Sequence, residues 1–238
     1  MKQLSIVFRS DGSSLPLNYQ YGIQGMLYNA LRHGGDDSWH DKGLDLGKRQ
    51  FKLFVFSQLR GNRTMEGKRI RFTDRIYLDV RSVRDDFCDA LEDSFAKNPE
   101  LTLCGVPLRV EDMKTSVEEL AWDSFEIRML SPMTVYETLD NHTRYFSPKD
   151  PEFGERVNAN FMNKYKAYFD EEPYGDITLL PVSVSNKDKV VTLFKGIYVT
   201  AWKGEYLLRG HPYDLTFLYY CGLGSKNSGG FGMFEPVK

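Results

Sequence analysis

The feature that most constrains this fold is a hydrophobic period that switches from two to about 3.6 and back, twice over, in the first half of the chain. Leu4, Ile6 and Phe8 alternate with polar partners, so residues 2–9 read as a strand. Asp11-Gly12-Ser13-Ser14 and Pro16 then mark a loop. Ile23, Met26, Leu27, Ala30 and Leu31 form the apolar stripe of a helix from about Tyr19 to Leu31, ended by Gly34-Gly35. Phe51–Phe56 reads as a second strand, and Ile70–Phe72 with Arg75–Val80 as a hairpin-like pair around Thr73-Asp74. Phe87, Leu91 and Phe95 sit four apart in a second helix over Val83–Lys97, which Asn98-Pro99 stops. Leu101–Leu103 and Leu108–Val110 return to strand.

That order is the split βαβ arrangement of a ferredoxin-like domain. The second half repeats it from about Trp122. Phe125–Met129 reads as strand, Phe153–Phe169 as helix, and Ile177–Val184 and Val190–Thr200 as strands. Tyr213–Cys221 is a short helix closed by Gly222, and Phe231–Phe234 is the last strand. The expected class is therefore α+β, two tandem ferredoxin-like βαββαβ folds around a central cleft. Residues 1–121 form one domain and 122–238 the other.

A chain of 238 residues, 41% hydrophobic and 27% charged, has room for two such cores without staples. No apolar run approaches the roughly 18 residues of a membrane span. The N-terminus alternates like a strand and lacks a signal peptide's apolar block, so a cytoplasmic location is expected. Cys88, Cys104 and Cys221 are scattered and read as core thiols in a reducing compartment, and with four scattered histidines they argue for no metal site and no cofactor. The net charge is only −2, but it is segregated. Lys42 to Arg84 holds 12 Lys/Arg against 4 Asp/Glu, and Asp85 to Glu126 holds 3 against 12. A basic face is the footprint of a polyanion partner, although two solvated elements of opposite charge would give the same count.

At about 100° per residue, Tyr21, Tyr28 and Arg32 leave the core stripe of the first helix together, with Gly25 leaving room on their face. Tyr21 is better explained by packing on the second half, whereas Tyr28 is a candidate site residue. His40 lies in the polar stretch Ser38–Gly43, where an imidazole is well placed for proton transfer near neutral pH. His33, at the helix end, is the second candidate base, and His142 and His211 read as turn residues. Lys48, Arg49 and Lys52 follow, and Lys52 is expected on the second strand beside the helix, where a fixed cation can stabilise charge on a phosphate. Lys68, Arg69 and Arg71 form a further basic stretch.

Near the C-terminus runs Gly222-Leu223-Gly224-Ser225-Lys226-Asn227-Ser228-Gly229-Gly230-Phe231-Gly232. A nucleotide P-loop would open a long helix after a strand, whereas this run follows a helix close to the end of the sequence. A dinucleotide fingerprint fails for the same reason. Two readings remain open: a structural turn, or a cradle whose backbone N–H groups and Lys226 hold a phosphodiester backbone.

This loop resembles the C-terminal glycine-rich signature of the CRISPR-associated endoribonucleases that process repeat transcripts, the Cas six family. Tyr19–Ala30 resembles that family's first helix and Lys52–Ser57 its following strand. Leu130–Val135 resembles its second-half opening, and Lys195–Trp202 the stretch before its final helix. The resemblance implies two ferredoxin-like folds and metal-independent cleavage within CRISPR repeat RNA, leaving 2′,3′-cyclic phosphate and 5′-OH ends. Carried over, His40 takes the general acid/base place, Tyr28 that of the helix tyrosine and Lys52 that of the strand lysine. The glycine-rich run (Gly222, Gly224, Ser225, Lys226, Asn227, Ser228, Gly229, Gly230, Gly232) would bind RNA together with Lys48, Arg49, Lys68, Arg69 and Arg71. The expected partner is CRISPR repeat RNA, with a multisubunit effector complex and a homodimer as further options and no membrane. A non-catalytic RNA-binding subunit of an effector complex is the alternative.

Overall fold

The computed structural model describes residues 1–12, 14–33, 43–46, 49–140 and 142–237, giving the backbone alone for His33 and Arg49. In the first half, Lys2–Arg9 lies at the centre of a five-stranded antiparallel sheet. Arg75–Ser82 and Val106–Ser116 flank it, with Phe54–Phe56 and Glu100–Leu103 at the edges. Helices Gln20–His33 (α1) and Asp85–Lys97 (α2) bury their stripes against that sheet: Ile23, Leu27 and Leu31 from α1, and Phe87, Leu91 and Phe95 from α2, share one core with Leu4, Ile6 and Phe8.

The second half is built on the same plan. Its four-stranded antiparallel sheet runs Thr178–Ser183, Glu205–Arg209, Ser124–Met129, Phe234–Pro236. Helices Phe153–Phe169 (α3) and Pro212–Cys221 (α4) pack on it through Phe153, Val157, Phe161, Leu215, Phe217 and Leu218. The fold is thus α+β with tandem ferredoxin-like halves. The halves are joined by buried bonds: Arg81, stacked 3.5 Å from the Tyr219 ring centroid, donates from Nη1 to the Phe234 carbonyl at 2.5 Å. No helix among the described residues is long and apolar enough to cross a membrane.

Several elements depart from the pattern read in the sequence. Ile70–Phe72 does not pair with Arg75–Val80; Arg69–Phe72 joins Ser14–Pro16 and Arg63–Glu66 in a separate three-stranded sheet. Val190–Thr200 is a hairpin, Lys189–Phe194 with Ile197–Trp202, because Lys195 and Gly196 take φ of 50° and 80°, the twist a tight hairpin turn requires. Glu205–Arg209, a central strand, and the Tyr136–Leu139/His142–Tyr145 hairpin went unread. His142 therefore opens a strand, and His211 caps α4 with its ring stacked on Tyr174 at 4.1 Å. Cys104 is exposed, in the Cys104-Gly105 turn of an edge hairpin, while Cys88 and Cys221 are buried.

Candidate nucleic-acid cleft

A cavity of about 700 Å³ opens between the Gly224–Ser228 turn, α3, the Tyr136–Leu139 strand and the segment Gln50–Leu53. Among the described residues, Lys52, Arg156, Lys164 and Lys226 line it against one carboxylate, Glu137, which Arg156 already pairs at 2.8 Å. A cleft with such an excess of cations concentrates anions. Asn160 and Asn163, from α3, add amides to its wall, and the buried Oδ1 of Asn160 has no hydrogen-bond partner among the described residues. The Lys226 ammonium lies 4.7 Å from the Tyr136 ring centroid. Lys164 is only 2% exposed, donates from Nζ to the Gly222 carbonyl at 2.6 Å, and is lowered to about 8 by burial.

The glycine-rich run is shaped by packing. Gly222, Gly224, Gly229, Gly230 and Gly232 are all buried. A Cβ on Gly230, at φ +81°, would collide with the Phe56 ring, and one on Gly229 would stand 2.6 Å from Phe194. The missing side chains let the loop sit directly on Phe56 of the first half and Phe194 of the second-half hairpin. Much of its backbone is already bonded: Leu223 N–H to the Gly232 carbonyl, Ser225 N–H to Thr134, Gly232 N–H to Pro132. The half-buried Ser225–Ser228 segment is what faces the cleft. Helix α1 holds this loop from the other side, where Gln20 Nε2 donates to the Gly230 carbonyl at 3.1 Å and Gln24 Nε2 to the Ser228 carbonyl at 2.7 Å.

Two family models divide the chain between them. "CRISPR-associated protein Cas6, N-terminal" matches residues 14–114, and "CRISPR associated protein Cas6, C-terminal" matches 116–236. The chain belongs to the Cas6 family. It is 25% identical over 228 residues to the CRISPR-associated endoribonuclease Cas6 of Pyrococcus furiosus, covering 93% of this chain and 83% of that protein. It is 26% identical to the CRISPR-associated endoribonuclease Cas6 1 of Methanocaldococcus jannaschii, covering 94% and 88%. Its fold is similar to a solved CRISPR associated protein Cas6, with a TM-score of 0.83 over 100% of this chain and 99% of that one at 22% identity. It is also similar to a solved RAMP protein that binds different RNA substrates, with a TM-score of 0.81 over all of both chains at 19% identity.

In this Cas6 chain only some of the residues expected at the site line the cleft, and neither Tyr28 nor the Lys68–Arg71 stretch is among them. His40 and Lys48, like the side chains of His33 and Arg49, lie outside the described residues. Lys52, Ser225, Lys226, Asn227 and Ser228 share the cleft with Gly224. Lys52 is not within a strand, as the pattern had suggested: Leu53 takes φ 47° and breaks the run into Arg49–Phe51, paired with Leu44–Leu46, and Phe54–Phe56, paired with Arg75–Ser82. Lys52 occupies the joint between them and faces the cavity. Tyr28 is half-buried on the first core, its ring edge-on to Phe54 at 5.9 Å. It lies one turn, about 6 Å along the axis, beyond Gln24 on the side of α1 that meets the glycine-rich loop. Burial pushes its hydroxyl up to about 12.

Lys68, Arg69 and Arg71 stand apart on the Arg63–Phe72 hairpin, and none lines the cleft. Arg71 pairs with Glu66 at 2.7 Å, and Arg69 donates from Nε to Ser14 Oγ at 2.8 Å. Tyr21 remains 53% exposed and meets Phe194 of the second half edge-on at 5.7 Å, as its packing role requires. Sequence reasoning missed Gln20, Gln24, Asn160, Asn163 and Lys164. The two glutamines carried a usable signal, an i, i+4 pair of amides at the margin of an apolar stripe. Lys164 carried none, because its burial follows from how α3 meets α4.

Proposed function

We propose that this chain is an endoribonuclease that cuts CRISPR precursor RNA within its repeats without a metal. The observation that carries this is one cationic cleft, in a Cas6-family chain, walled by the glycine-rich loop and by Lys52. In this reading a phosphodiester enters the cleft, and the 2′-OH upstream of the scissile bond attacks phosphorus in line. The 5′-oxygen leaves with a proton, giving 2′,3′-cyclic phosphate and 5′-OH ends. Lys52 stabilises the charge that builds on the non-bridging oxygens. Tyr28, whose hydroxyl keeps its proton far above neutral pH, suits donation rather than abstraction, which leaves the base role to His40. Lys226 and the Ser225–Ser228 segment hold the backbone, and Lys48, Arg49, Lys68, Arg69 and Arg71 extend the track. The domain partition 1–121 and 122–238 belongs to this reading, with the five-stranded sheet before it and the four-stranded sheet after it.

The test is incubation with RNA carrying the repeat of the host's own CRISPR array, in EDTA, with a matched RNA bearing one 2′-deoxy sugar at the cut. Cleavage of the first to cyclic-phosphate ends, and none of the second, is expected. Cutting that stops in EDTA, or that survives the 2′-deoxy substitution, overturns the mechanism. Tight binding without cutting in any condition favours the non-catalytic subunit.

A further inference from the structure

Lys164 is a buried ammonium that the proposed chemistry does not use. It projects from α3, is 2% exposed, and donates to the Gly222 carbonyl at 2.6 Å. Gly222 is the first residue of the glycine-rich loop, closing α4 with φ 82°. The charge has no carboxylate partner among the described residues. Its other faces look towards the thiol of Cys221 and into the cleft, where the charged groups among the described residues are Lys52, Lys226, Arg156 and Glu137, the last two paired with each other. A buried cation without a counter-ion is unfavourable unless something completes it, and the carbonyl does so only in part. An anion in the same cleft completes the rest.

We propose that Lys164 is a positioning residue for RNA: it fixes the root of the glycine-rich loop through Gly222, and a phosphate entering the cleft supplies the missing counter-charge. This rests on the proposed RNA-binding function and adds a linkage to it. Burial lowers the free lysine to about 8, whereas Cys221, pushed up by burial to about 11, and Tyr28, to about 12, titrate well above that. A phosphate favours the charged form, so RNA binding above pH 8 takes up a proton and affinity falls as pH rises. Below pH 8 the lysine is charged in both states and affinity is level in this respect.

The experiment measures repeat-RNA affinity at constant salt from pH 7 to 9 for the unmodified protein, Lys164→Met and Lys164→Gln. Loop protection at residues 222–232 of the free proteins is followed by hydrogen exchange, corrected for intrinsic rates. The unmodified protein should weaken towards about tenfold per pH unit above 8, the limit for one proton. Lys164→Met should bind about tenfold more weakly at pH 7, show no such fall, and lose loop protection while Ser124–Met129 keeps it. Lys164→Gln, which keeps an N–H donor, should recover loop protection but not the pH dependence, and it serves if the methionine variant does not fold. Variants that match the unmodified protein in pH slope and in protection overturn the inference. A variant that loosens the loop in a protein that never binds repeat RNA overturns the functional reading instead, and leaves the anchor standing.

Discussion

With its hydroxyl pushed up to about 12, Tyr28 is a neutral phenol at any pH where RNA is stable, so in the proposed reaction it would give a proton or donate a hydrogen bond. Tyr28→Phe removes that proton and keeps the ring against Phe54. The expected outcome is a single-turnover cleavage rate lower by about 10²–10⁴-fold with repeat-RNA affinity unchanged. Equal loss of affinity and rate would make the tyrosine a binding residue. The helical angles set Tyr28 off the core stripe, and it is indeed half-buried at the margin of that core. They could not place Lys52, because its direction depends on the positive φ of Leu53, which no periodicity reports. Residue identity was readable, and the direction of the side chain was not.

At the scale of elements, the order of strands and helices followed from period and punctuation, since both halves place helices where apolar residues recur every three or four. What escaped were short strands between glycines. Glu205–Arg209 lies between Gly204 and Gly210 with only Tyr206 and Leu208 alternating inward, too brief for a periodic signal. The glycine-rich loop was visible as an element, but its cause was not, because contact with Phe56 and Phe194 is tertiary. Two alanine substitutions separate the uses of glycine. Gly230→Ala must be accommodated at positive φ against a buried ring and should lower stability by about 1–3 kcal/mol in urea unfolding. Gly25→Ala meets nothing within 4 Å inside α1 and should raise stability by about 0.5–1 kcal/mol. Similar effects at both sites would contradict the packing account of the loop.

Over the whole molecule, the sequence's charge segregation is partly spent on internal pairs. Arg75 bonds Glu111 at 2.6 Å and Arg84 bonds Asp86 at 2.6 Å, so the basic and acidic blocks meet each other within the first half, and Arg60 is held at 2.5 Å by Asp79 inside the basic block itself. A count of Lys and Arg therefore overstates the charge left to meet a polyanion. The cleft keeps more of its share, since Lys226 shows no carboxylate partner among the described residues and faces an aromatic ring. Counter-ion release makes this measurable: for single strands, each phosphate neutralised adds about 0.7 to the slope of log affinity against log salt. Lys226→Ala should make that slope shallower by about 0.7, whereas Arg71→Ala, which removes a cation already held by Glu66, should change it by less. A larger loss from Arg71→Ala would make the Arg63–Phe72 hairpin, and not the cleft, the main seat of the RNA backbone.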